Sequence, residues 1–533
     1  MTAEPGNSDH PFDLLIVGGG INGAGIARDA SGRGLSVALC EKNDLASGTS
    51  SRSGKLVHGG LRYLEYYEFR LVREALIERE VLMASAPHII WPMRFVLPHS
   101  EHDRPAWLLR LGLFLYDHLG GRKHLPPTRT LDLRKAPEGA ALKETYQRGF
   151  EFSDCWVDDS RLVVLNMVDA TERGTTLYTR TAFTGAQRTK GQWQIQLTDK
   201  AGKQKTVYAK GLVNAAGPWV NNIIDNLPAA DAKHSSDKRV RLVKGSHIVT
   251  RKFWQGDNAY LVQNTDKRVI FINPYQGDYA LIGTTDIPHD GTADNVQADA
   301  SEIQYLLDCI NRYFSEDLST NDVVHSFSGV RPLYDDNAAN PSAVTRDYVF
   351  DVNESADGDA PLLSIFGGKI TTYRKLAEHA LDKLAPWYAA MTPAWTRQAA
   401  LPGGSIANVD FDAFLVRMQQ SYNWLDQQTL YHLARLYGDR LGLIIGDSTS
   451  VDQLGQQFGP HFYEAEARYL REHEWAVEPD DYLRRRSKHG LHMTRQQHEI
   501  FARWCAQTEV SRARNINTDQ QSDSVSTHEY KHL

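Results

Sequence analysis

The pattern of apolar and polar positions predicts a βαβ unit near the start of the chain. Residues 13–17 form a short apolar run that leads into glycines and then into a helical pattern through about Arg33. Residues 35–39 form a second apolar run, which ends at Cys40 and Glu41. Two strand-like runs joined by a helical period are typical of neighbouring parallel strands in an α/β sheet.

The same pattern divides the rest of the chain into regions of different character. A helix is predicted over roughly residues 66–85, and residues 239–330 are predicted to be mostly β, with a hairpin turn at 276–278. Residues 362–366 form a strand that runs into two glycines and a helix. After a linker at 401–404 the chain is predicted to be largely helical.

Length, charge and cysteine usage narrow the class of protein. A chain of 533 residues accommodates roughly two to four domains. The net charge of −7 and the isoelectric point near 6.3 argue against a nucleic-acid-binding protein. Four scattered cysteines without a CxxC pair predict a reducing compartment, with neither a disulfide framework nor a zinc site. The polar N-terminus predicts a cytosolic protein, which can still lie on a membrane surface.

The first glycine-rich loop predicts a dinucleotide-binding site. Its glycines fit the pattern GxGxxG between the first strand and its helix, where they permit a tight turn, close approach of a pyrophosphate and close packing of helix on strand. The helix N-terminus adds partial positive charge, and the acidic residue after the second strand is placed to accept hydrogen bonds from a ribose. The cofactor-binding residues predicted here are Gly18, Gly20, Ile21, Asn22, Gly23 and Glu41.

The number of GxGxxG loops and two further segments favour FAD over NAD. The chain contains one GxGxxG loop, whereas a flavoprotein that also uses a pyridine nucleotide normally carries two. Residues 214–219 (NAAGPW) are expected to approach the same cofactor, through Ala216 and Gly217. Residues 367–372 (GGKITT) end a strand and begin a helix, which Thr371 or Thr372 is predicted to cap. Such a helix N-terminus stabilises the anion that forms at the flavin N1/C2=O edge on reduction. The cofactor-binding residues predicted here are Gly368, Lys369, Thr371 and Thr372.

A series of long motifs, in a fixed order along the chain, resembles one enzyme family. They are HGGLRYLEYYEFRLVREALIERE, GFEFSDCWVDDSRLV, GLVNAAGPWV, VKGSHIV, IGTTDIP, SGVRPL, TRDY and FGGKITTYRKLAEHAL. Together they are similar to the FAD-dependent (aerobic, respiratory) glycerol-3-phosphate dehydrogenases over about residues 13–384, and more loosely beyond. The resemblance implies an α/β fold with a glutathione-reductase-like FAD-binding domain, a β-rich substrate domain and an all-helical C-terminal cap domain.

Domain boundaries follow from the pattern and this resemblance together. The FAD-binding domain is expected to be discontinuous, over residues 1–86, 150–225 and 330–390. The substrate-binding domain is expected over 87–149 and 226–329, and the helical domain over 400–510. Residues 518–533 are predicted to be a disordered tail, because they are polar throughout.

The resemblance also implies a reaction and its partners. Members of this family oxidise sn-glycerol 3-phosphate to dihydroxyacetone phosphate by hydride transfer from C2 to FAD, and pass the electrons to a membrane quinone. Bacterial members are peripheral proteins on the cytoplasmic face of the inner membrane, so the same localisation is expected here, and a homodimer is left open. A glycerol-3-phosphate oxidase using O2, an amine or amino-acid oxidase of the same superfold, and a flavin-binding protein without turnover remain as alternatives.

Cations within the matching motifs are the candidate substrate ligands. A phosphate dianion is best held by arginine forks, so Arg62 and Arg331 are the first candidates for the phosphate or the adjacent oxygens. Arg346 and Lys369 are second candidates, closer to the flavin or to the product oxygen. Tyr63 is placed to donate to the phosphate or to orient Arg62.

The candidate catalytic bases are His247 and His58, since an imidazole pKa is readily tuned to neutrality. His58 is also placed to support the flavin ring, and a proton transfer assisted by an arginine such as Arg331 is the alternative to a histidine base. The serine-rich loop and the turn after it are expected to contact the cofactor as well. The residues predicted there are Thr49, Ser50, Ser51 and Gly59.

Three further predictions concern the serine-rich loop, metal binding and an apolar segment. The serine-rich loop departs from the family at Gly54, where a serine is frequent, which puts one cofactor hydrogen bond in doubt. No metal site is predicted, since His99 and His102 lack a carboxylate partner at metal-ligand spacing. Residues 107–116 are apolar apart from Arg110, which fits either a helix at a membrane interface or a buried helix of the substrate domain.

Overall fold

The computed structural model describes residues 5–100, 103–228, 238–335, 347–354 and 358–508. The chain forms two compact units, Met1–Phe411 and Asp412–Leu533. His102, Arg346 and the tail at 518–533, for which disorder was predicted, lie outside the described residues.

The β-strands of the first unit are β1 (Phe12–Val17), β2 (Val37–Cys40), β3 (Leu56–Val57), β4 (Ile90–His99), β5 (Arg129–Asp132), β6 (Arg148–Val157), β7 (Thr176–Tyr178), β8 (Thr181–Thr189), β9 (Gln192–Asp199), β10 (Gln204–Asn214), β11 (Val240–Arg251), β12 (Ala259–Gln263), β13 (Val269–Tyr275), β14 (Tyr279–Gly283), β15 (Ile287–Pro288), β16 (Val323–Tyr334), β17 (Val349–Asn353) and β18 (Leu362–Phe366). Its helices are α1 (Ile21–Gly32), α2 (Phe69–Ser85), α3 (Ala106–Leu119), α4 (Asp159–Glu172), α5 (Val220–Asp225), α6 (Ala300–Tyr313) and α7 (Tyr373–Leu384).

The first sheet carries the glycine loop. Its strand order is β17-β18-β10-β1-β2-β7, and β1 pairs in parallel with both β10 and β2. Both faces of β1 are buried: Leu15 packs with Trp193 of the β8–β9 hairpin, and Ile16 lies under α1. The βαβ opening predicted from the apolar pattern is therefore confirmed, and burial on both faces explains why its strands are continuous apolar runs.

The second sheet is mainly antiparallel. Its order is β15-β11-β14-β13-β12-β4-β6-β3, with β16 paired to β11 and β5 paired to β6. The predicted hairpin is formed by β13 and β14, which pair from Phe271↔Gly283 to Tyr275↔Tyr279. β11 lies between β14 and β16, so its side chains at the middle of the strand are buried.

One helix lies inside the region that was predicted to be mostly β. α6 packs Leu306 and Ile310 against Ile248 and Ile270 of the second sheet. Asp299 caps this helix and Glu302 completes a capping box. The helical spacing of its apolar residues is regular, but strand-like segments on both sides dominated the pattern and this helix was missed.

The second unit is largely helical, as predicted. Its helices are α8 (Phe411–Ser421), α9 (Gln427–Tyr437), α10 (Gly442–Ile445), α11 (Glu464–Glu474) and α12, which spans 495–508, and its hairpin is formed by β19 (Gln457–Gly459) and β20 (Phe462–Tyr463). A π-helical segment, Asp481–Arg486, and a 3-10 turn, His489–Leu491, lie between α11 and α12. Among all described helices, none has both the length and the apolar character needed to cross a bilayer.

Candidate active site

A cavity of about 770 Å³ in the first unit brings most of the predicted site residues together. Predicted residues that line it are Gly18, Gly20, Ile21, Asn22, Glu41, Thr49, Ser50, His58, Arg62, Tyr63, Ala216, Gly217, His247, Arg331, Gly368, Lys369 and Thr371. Four others, Gly23, Ser51, Gly59 and Thr372, do not line it, and Arg346 lies outside the described residues.

The glycine loop at one end of this cavity leaves room only for bare backbone. Gly18 has a φ of +112°, and a Cβ there would lie 2.6 Å from the carbonyl oxygen of Ala215. A Cβ on Gly23 would lie 2.0 Å from the carbonyl oxygen of Gly18, so this glycine serves the packing of the turn. α1 begins without a side-chain cap, which leaves its positive end at the cavity.

Glu41 follows β2 directly and closes the loop from the side. Its Oε2 accepts a hydrogen bond from the Gly19 amide at 2.7 Å, and its Oε1 accepts one from the Asn43 amide at 2.8 Å. Burial raises the pKa of Glu41, and the two backbone donors oppose that rise. Its carboxylate lines the cavity, where ribose hydroxyls of a dinucleotide would be bound.

The serine-rich loop is hydrogen-bonded to the start of α1 and to β16 of the second sheet. The Ser50 hydroxyl accepts from the Ile21 amide at 3.0 Å, at the start of α1. The Thr49 hydroxyl donates to the carbonyl oxygen of Val330 at 2.6 Å, and Arg52 donates to that of Ser328. Thr49 and Ser50 therefore line the cavity as expected, while Ser51 does not.

A second glycine turn meets the first loop through Asn22. Gly367 and Gly368 have positive φ values of 84° and 107°, and the Asn22 amide donates to the Gly367 carbonyl oxygen at 3.2 Å. The Oδ1 of Asn22 is buried without a partner among the described residues. The predicted cap of α7 is wrong, since neither threonine caps it; the Thr371 hydroxyl instead accepts from the His58 amide at 3.2 Å.

Gly59 serves packing rather than the cavity. Its amide donates to the Tyr116 hydroxyl at 2.8 Å and to Asp154 at 3.2 Å. A Cβ at this position would lie 2.4 Å from the Leu76 side chain on α2. The residue expected to make room for the cofactor thus allows α2 to approach, and its neighbour Gly60 lines the cavity instead.

Two cations and a phenol form a first polar cluster on the lining. Lys369 Nζ lies over the Tyr63 ring, 4.1 Å from its centroid. Arg62 is in the 3-10 turn Leu61–Tyr66, and its Nη2 reaches the Tyr66 hydroxyl at 3.4 Å. The Nε of Arg62 is buried without a partner among the described residues. His58 lies close by, with its ring edge on Phe271, and burial lowers its pKa.

His247 is the centre of a second cluster. It lies on β11, is 3% exposed, and stacks on Phe327 with ring centroids 5.0 Å apart. Neither ring nitrogen has a hydrogen-bond partner among the described residues. Burial, helped by the charges of Arg331 and Lys55, lowers the pKa of His247 to about 3. The imidazole is therefore neutral at physiological pH.

Arg331 lies beside His247 and is held rigidly. Its Nη1 donates to Asp286 at 2.7 Å and its Nη2 donates to the Thr284 hydroxyl at 2.9 Å. A Cβ on Gly245 would lie 2.5 Å from Arg331 Nη2, so this glycine makes room for the guanidinium group. This pairing fixes the direction of a charge-bearing fork toward the cavity.

Sequence reasoning missed the residues that support these side chains. Gly245, Gly283, Thr284 and Asp286 occur in the motifs VKGSHIV and IGTTDIP, but no role was assigned to them. A Cβ on Gly283 would lie 2.2 Å from the His247 ring. The glycines in both motifs were the available signal, because a glycine within a β-strand marks close approach of another group.

These features together fit FAD. The bare glycine loop and the uncapped start of α1 suit the pyrophosphate, and Glu41 suits a ribose. The unpartnered Asn22 oxygen is an acceptor for an O–H or N–H group of the flavin end of the cofactor. The residues of both polar clusters line the same cavity.

Comparison with known proteins agrees with this geometry. Residues 13–374 match the family model described as FAD dependent oxidoreductase, and residues 394–508 match the C-terminal domain of alpha-glycerophosphate oxidase. The chain is 59% identical to D-erythritol 1-phosphate dehydrogenase of Brucella abortus (strain 2308) over 92% of this chain and 97% of the relative. It is 50% identical to the aerobic glycerol-3-phosphate dehydrogenase of Escherichia coli (strain K12), with the same coverage of 92% and 97%.

A solved structure extends the likeness to three dimensions. The glycerol-3-phosphate dehydrogenase from Bacillus halodurans, solved in complex with FAD, superposes with a TM-score of 0.74 at 28% identity. The match covers 94% of this chain and 91% of that one. The expected fold class and the expected FAD dependence are confirmed by these matches.

Proposed function

Because the chain belongs to the FAD-dependent glycerol-3-phosphate dehydrogenase family, we propose that it oxidises sn-glycerol 3-phosphate to dihydroxyacetone phosphate and passes the electrons to a membrane quinone. One observation carries this proposal. A single cavity joins a dinucleotide loop to two clusters of cationic and imidazole side chains, which is the pairing that an anionic alcohol and a flavin require.

The first cluster is assigned to the phosphate. Arg62 and Lys369 supply two positive charges next to the Tyr63 phenol, and the buried Nε of Arg62 lacks a partner among the described residues. A buried donor without a partner costs free energy, which an incoming phosphate oxygen would recover. Charge-assisted hydrogen bonds of this kind are among the strongest in proteins.

The second cluster is assigned to the reacting alcohol. Bound FAD supplies the acceptor for the hydride that leaves C2. His247, whose ring nitrogens have no partner among the described residues, is assigned to take up the hydroxyl proton. The negative charge of a bound phosphate would raise its low pKa toward the range that a general base requires. Arg331, oriented by Asp286 and Thr284, stabilises the oxygen as it loses that proton.

The surface around α3 supports contact with a membrane. Trp107, Leu111 and Phe114 are 69%, 48% and 51% exposed, and Tyr67, which follows the 3-10 turn Leu61–Tyr66, is 80% exposed. The alternative of a buried helix does not fit this exposure. Leu109 and Tyr66 of the same surface line the cavity, which offers an apolar approach for a quinone. Exposed apolar side chains with basic neighbours such as Arg110 suit the cytoplasmic face of a bilayer.

A second candidate substrate is D-erythritol 1-phosphate, favoured by the relative that shares 59% identity. This polyol phosphate is one CHOH group longer than glycerol 3-phosphate. Space beside His247 is consistent with the longer molecule, since a Cβ on Gly54 would meet only the His247 Nε2, at 3.7 Å. A serine at this position would fill that space and place a hydroxyl next to the imidazole.

Steady-state kinetics distinguish the candidates. The full-length protein with FAD is assayed with each phosphate, using a soluble quinone or O2 as the acceptor. The proposal predicts that glycerol 3-phosphate has the higher kcat/KM and that quinone reoxidises the enzyme faster than O2. A higher kcat/KM for the four-carbon substrate, lost selectively in Gly54→Ser, would establish the second candidate, and faster turnover with O2 would identify an oxidase.

A further inference from the structure

Three side chains of the second unit lie close together in space, although they are far apart in the sequence. His432 lies on α9, Glu466 on α11, and His489 at the start of the 3-10 turn His489–Leu491. The Nε2 of His432 lies 3.0 Å from Glu466 Oε1 and 2.9 Å from the Nε2 of His489. The Nε2 of His489 lies 3.7 Å from Glu466 Oε2. One potential ligand atom from each residue thus falls within 4.8 Å of the other two.

The separations match those of a small metal ion. Zinc binds imidazole nitrogen and carboxylate oxygen at about 2.0–2.2 Å, so tetrahedral ligand atoms lie roughly 3.3 Å apart. The three separations in the cluster, 2.9, 3.0 and 3.7 Å, lie on both sides of that value. Two histidines and one glutamate are also an established ligand set for zinc, with the fourth position held by water.

Hydrogen bonding alone accounts for the cluster less well. Both Nε2 atoms point toward each other and toward the same carboxylate. At most one of the two Nε2 atoms can donate to the other, so the close contacts among the two rings and the carboxylate of Glu466, which is 1% exposed, compete for the same N–H donors. A divalent cation between the three atoms would compensate the carboxylate charge and use both nitrogen lone pairs.

The surroundings hold the three side chains in place. The Tyr437 hydroxyl donates to Glu466 Oε1 at 2.7 Å, and Phe462 stacks on the His489 ring with centroids 4.6 Å apart. Outer groups that orient ligands in this way are usual around protein metal sites. The π-helical segment Asp481–Arg486 leads into the turn that carries His489, and π-helical turns are frequent at functional sites.

We propose that His432, Glu466 and His489 bind a divalent transition-metal ion, with Zn²⁺ as the best match. The ion ties α9, α11 and the turn at His489 together, across sequence separations of 34 and 57 residues. The expected effect of the ion is to stabilise the second unit, and it is independent of which polyol phosphate the protein oxidises.

Metal binding is tested on the full-length protein with FAD bound. The protein is stripped with a chelator and then titrated with Zn²⁺ or Co²⁺, and metal content, the visible Co²⁺ spectrum and the thermal midpoint are measured. We expect one ion per chain, intense Co²⁺ bands typical of low coordination number, and a higher midpoint with zinc. Protein that takes up no stoichiometric ion, and whose midpoint is unchanged by chelator or zinc, would overturn the proposal.

Variants test which residues bind the ion, and retained FAD content shows that each variant is folded. Glu466→Gln keeps the shape of the side chain but removes its charge and replaces one acceptor oxygen by an NH2 donor, and should abolish tight zinc binding. Tyr437→Phe removes only the orienting hydroxyl and should weaken zinc binding about 10-fold to 100-fold. His473→Ala alters an exposed histidine of α11 and should bind as the parent does. Parent-like binding by both Glu466→Gln and His489→Ala, with FAD content retained, would place the ion elsewhere and contradict the assignment.

Discussion

Arg62 and Arg331 are both arginines of the cavity, yet their surroundings predict different kinetic defects. Arg62→Ala removes a donor assigned to the phosphate, so KM should rise roughly 10-fold to 150-fold, as expected for a lost charge-assisted hydrogen bond. Inhibition by inorganic phosphate should weaken in parallel. Arg331→Ala removes a charge beside the reacting oxygen, so kcat should fall while FAD stays bound.

A third arginine of the same cavity is a matched control. Arg268 lines the cavity but is paired with Asp266 at 2.6 Å and stacks on Tyr305. Arg268→Ala should therefore change phosphate inhibition little. Equal loss of phosphate inhibition in the Arg62 and Arg268 variants would remove Arg62 from the proposed phosphate site.

The buried imidazole of His247 should make stability depend on pH. Its pKa is lowered from 6.5 to about 3 in the folded protein. Above pH 6.5 the imidazole is neutral in both states, and between 6.5 and about 3 only the unfolded chain takes up the proton. The contribution of His247 to stability is thus complete above that window and is lost as the pH falls, by up to about 1.4 kcal/mol per pH unit.

His247→Asn removes this titration. The difference in thermal midpoint between parent and variant, measured at several pH values from neutral to mildly acidic, should shrink steadily as the pH falls. A difference that stays constant across that range would mean that His247 is not held neutral by burial.

At the residue scale, the sequence identified candidate site side chains but not the residues that hold them in place. His247 and Arg331 were predicted because a base and a phosphate ligand must be imidazoles and cations in the matching motifs. Thr284 and Asp286, the partners of Arg331, cannot be recognised as such until the fold brings β14 and β16 together beside β11. The cluster of His432, Glu466 and His489 was missed for the same reason, and the expectation of no metal site rested on short spacings only.

At the scale of elements, a glycine of the second sheet makes room for His247, the proposed base. Gly283 on β14 pairs with His247 on β11, and a Cβ there would lie 2.2 Å from the imidazole. Gly283→Ala should displace the ring and lower kcat by about 10-fold or more, since small misplacements of catalytic groups are costly. Flavin content should not change, because the two glycine turns assigned to FAD follow β1 and β18 of the first sheet.

Gly185→Ala is the control for this variant. Gly185 also lies in a strand, but a Cβ there would meet nothing within 4 Å. Turnover and flavin content should equal those of the parent. A Gly283→Ala protein with normal kcat would show that the position of the His247 ring does not limit the reaction.

Helices and strands were predicted where a helical or strand-like repeat of apolar residues was long and uninterrupted. β1 and α1 follow a continuous apolar run and a helical run separated by glycines, so both were found within a few residues of their ends. α6 was hidden because strands surround it in the sequence, although Asp299 and Glu302 form a capping box at its start. The cap predicted for α7 failed because Thr371 hydrogen-bonds to the backbone of His58 instead.

At the scale of the whole molecule, the exposed surface of α3 should control membrane association. A Trp107→Ser, Phe114→Ser variant removes two large exposed apolar side chains and should lose binding to vesicles that contain anionic lipid. Vesicle flotation measures this binding, and turnover with a soluble quinone should remain at the parent level. Unchanged flotation would move the membrane contact away from α3.

The overall plan of the molecule was predicted from long motifs, not from single residues. The motifs that form the cavity are spread from the glycine loop near residue 18 to the turn near 371. The local pattern of apolar and polar residues does not show that segments so far apart in the sequence are in contact. Their order could be matched to a known family, but the contacts that join them, such as Asn22 to Gly367, required the structure.

The central claim is that a flavin in this cavity takes electrons from glycerol 3-phosphate. It is tested most directly by the visible spectrum of the purified protein, recorded without oxygen before and after addition of glycerol 3-phosphate. The account predicts a yellow protein whose flavin band is bleached by the substrate and restored by a quinone. A colourless protein that binds no FAD, or a flavin band unchanged by glycerol 3-phosphate, would contradict it.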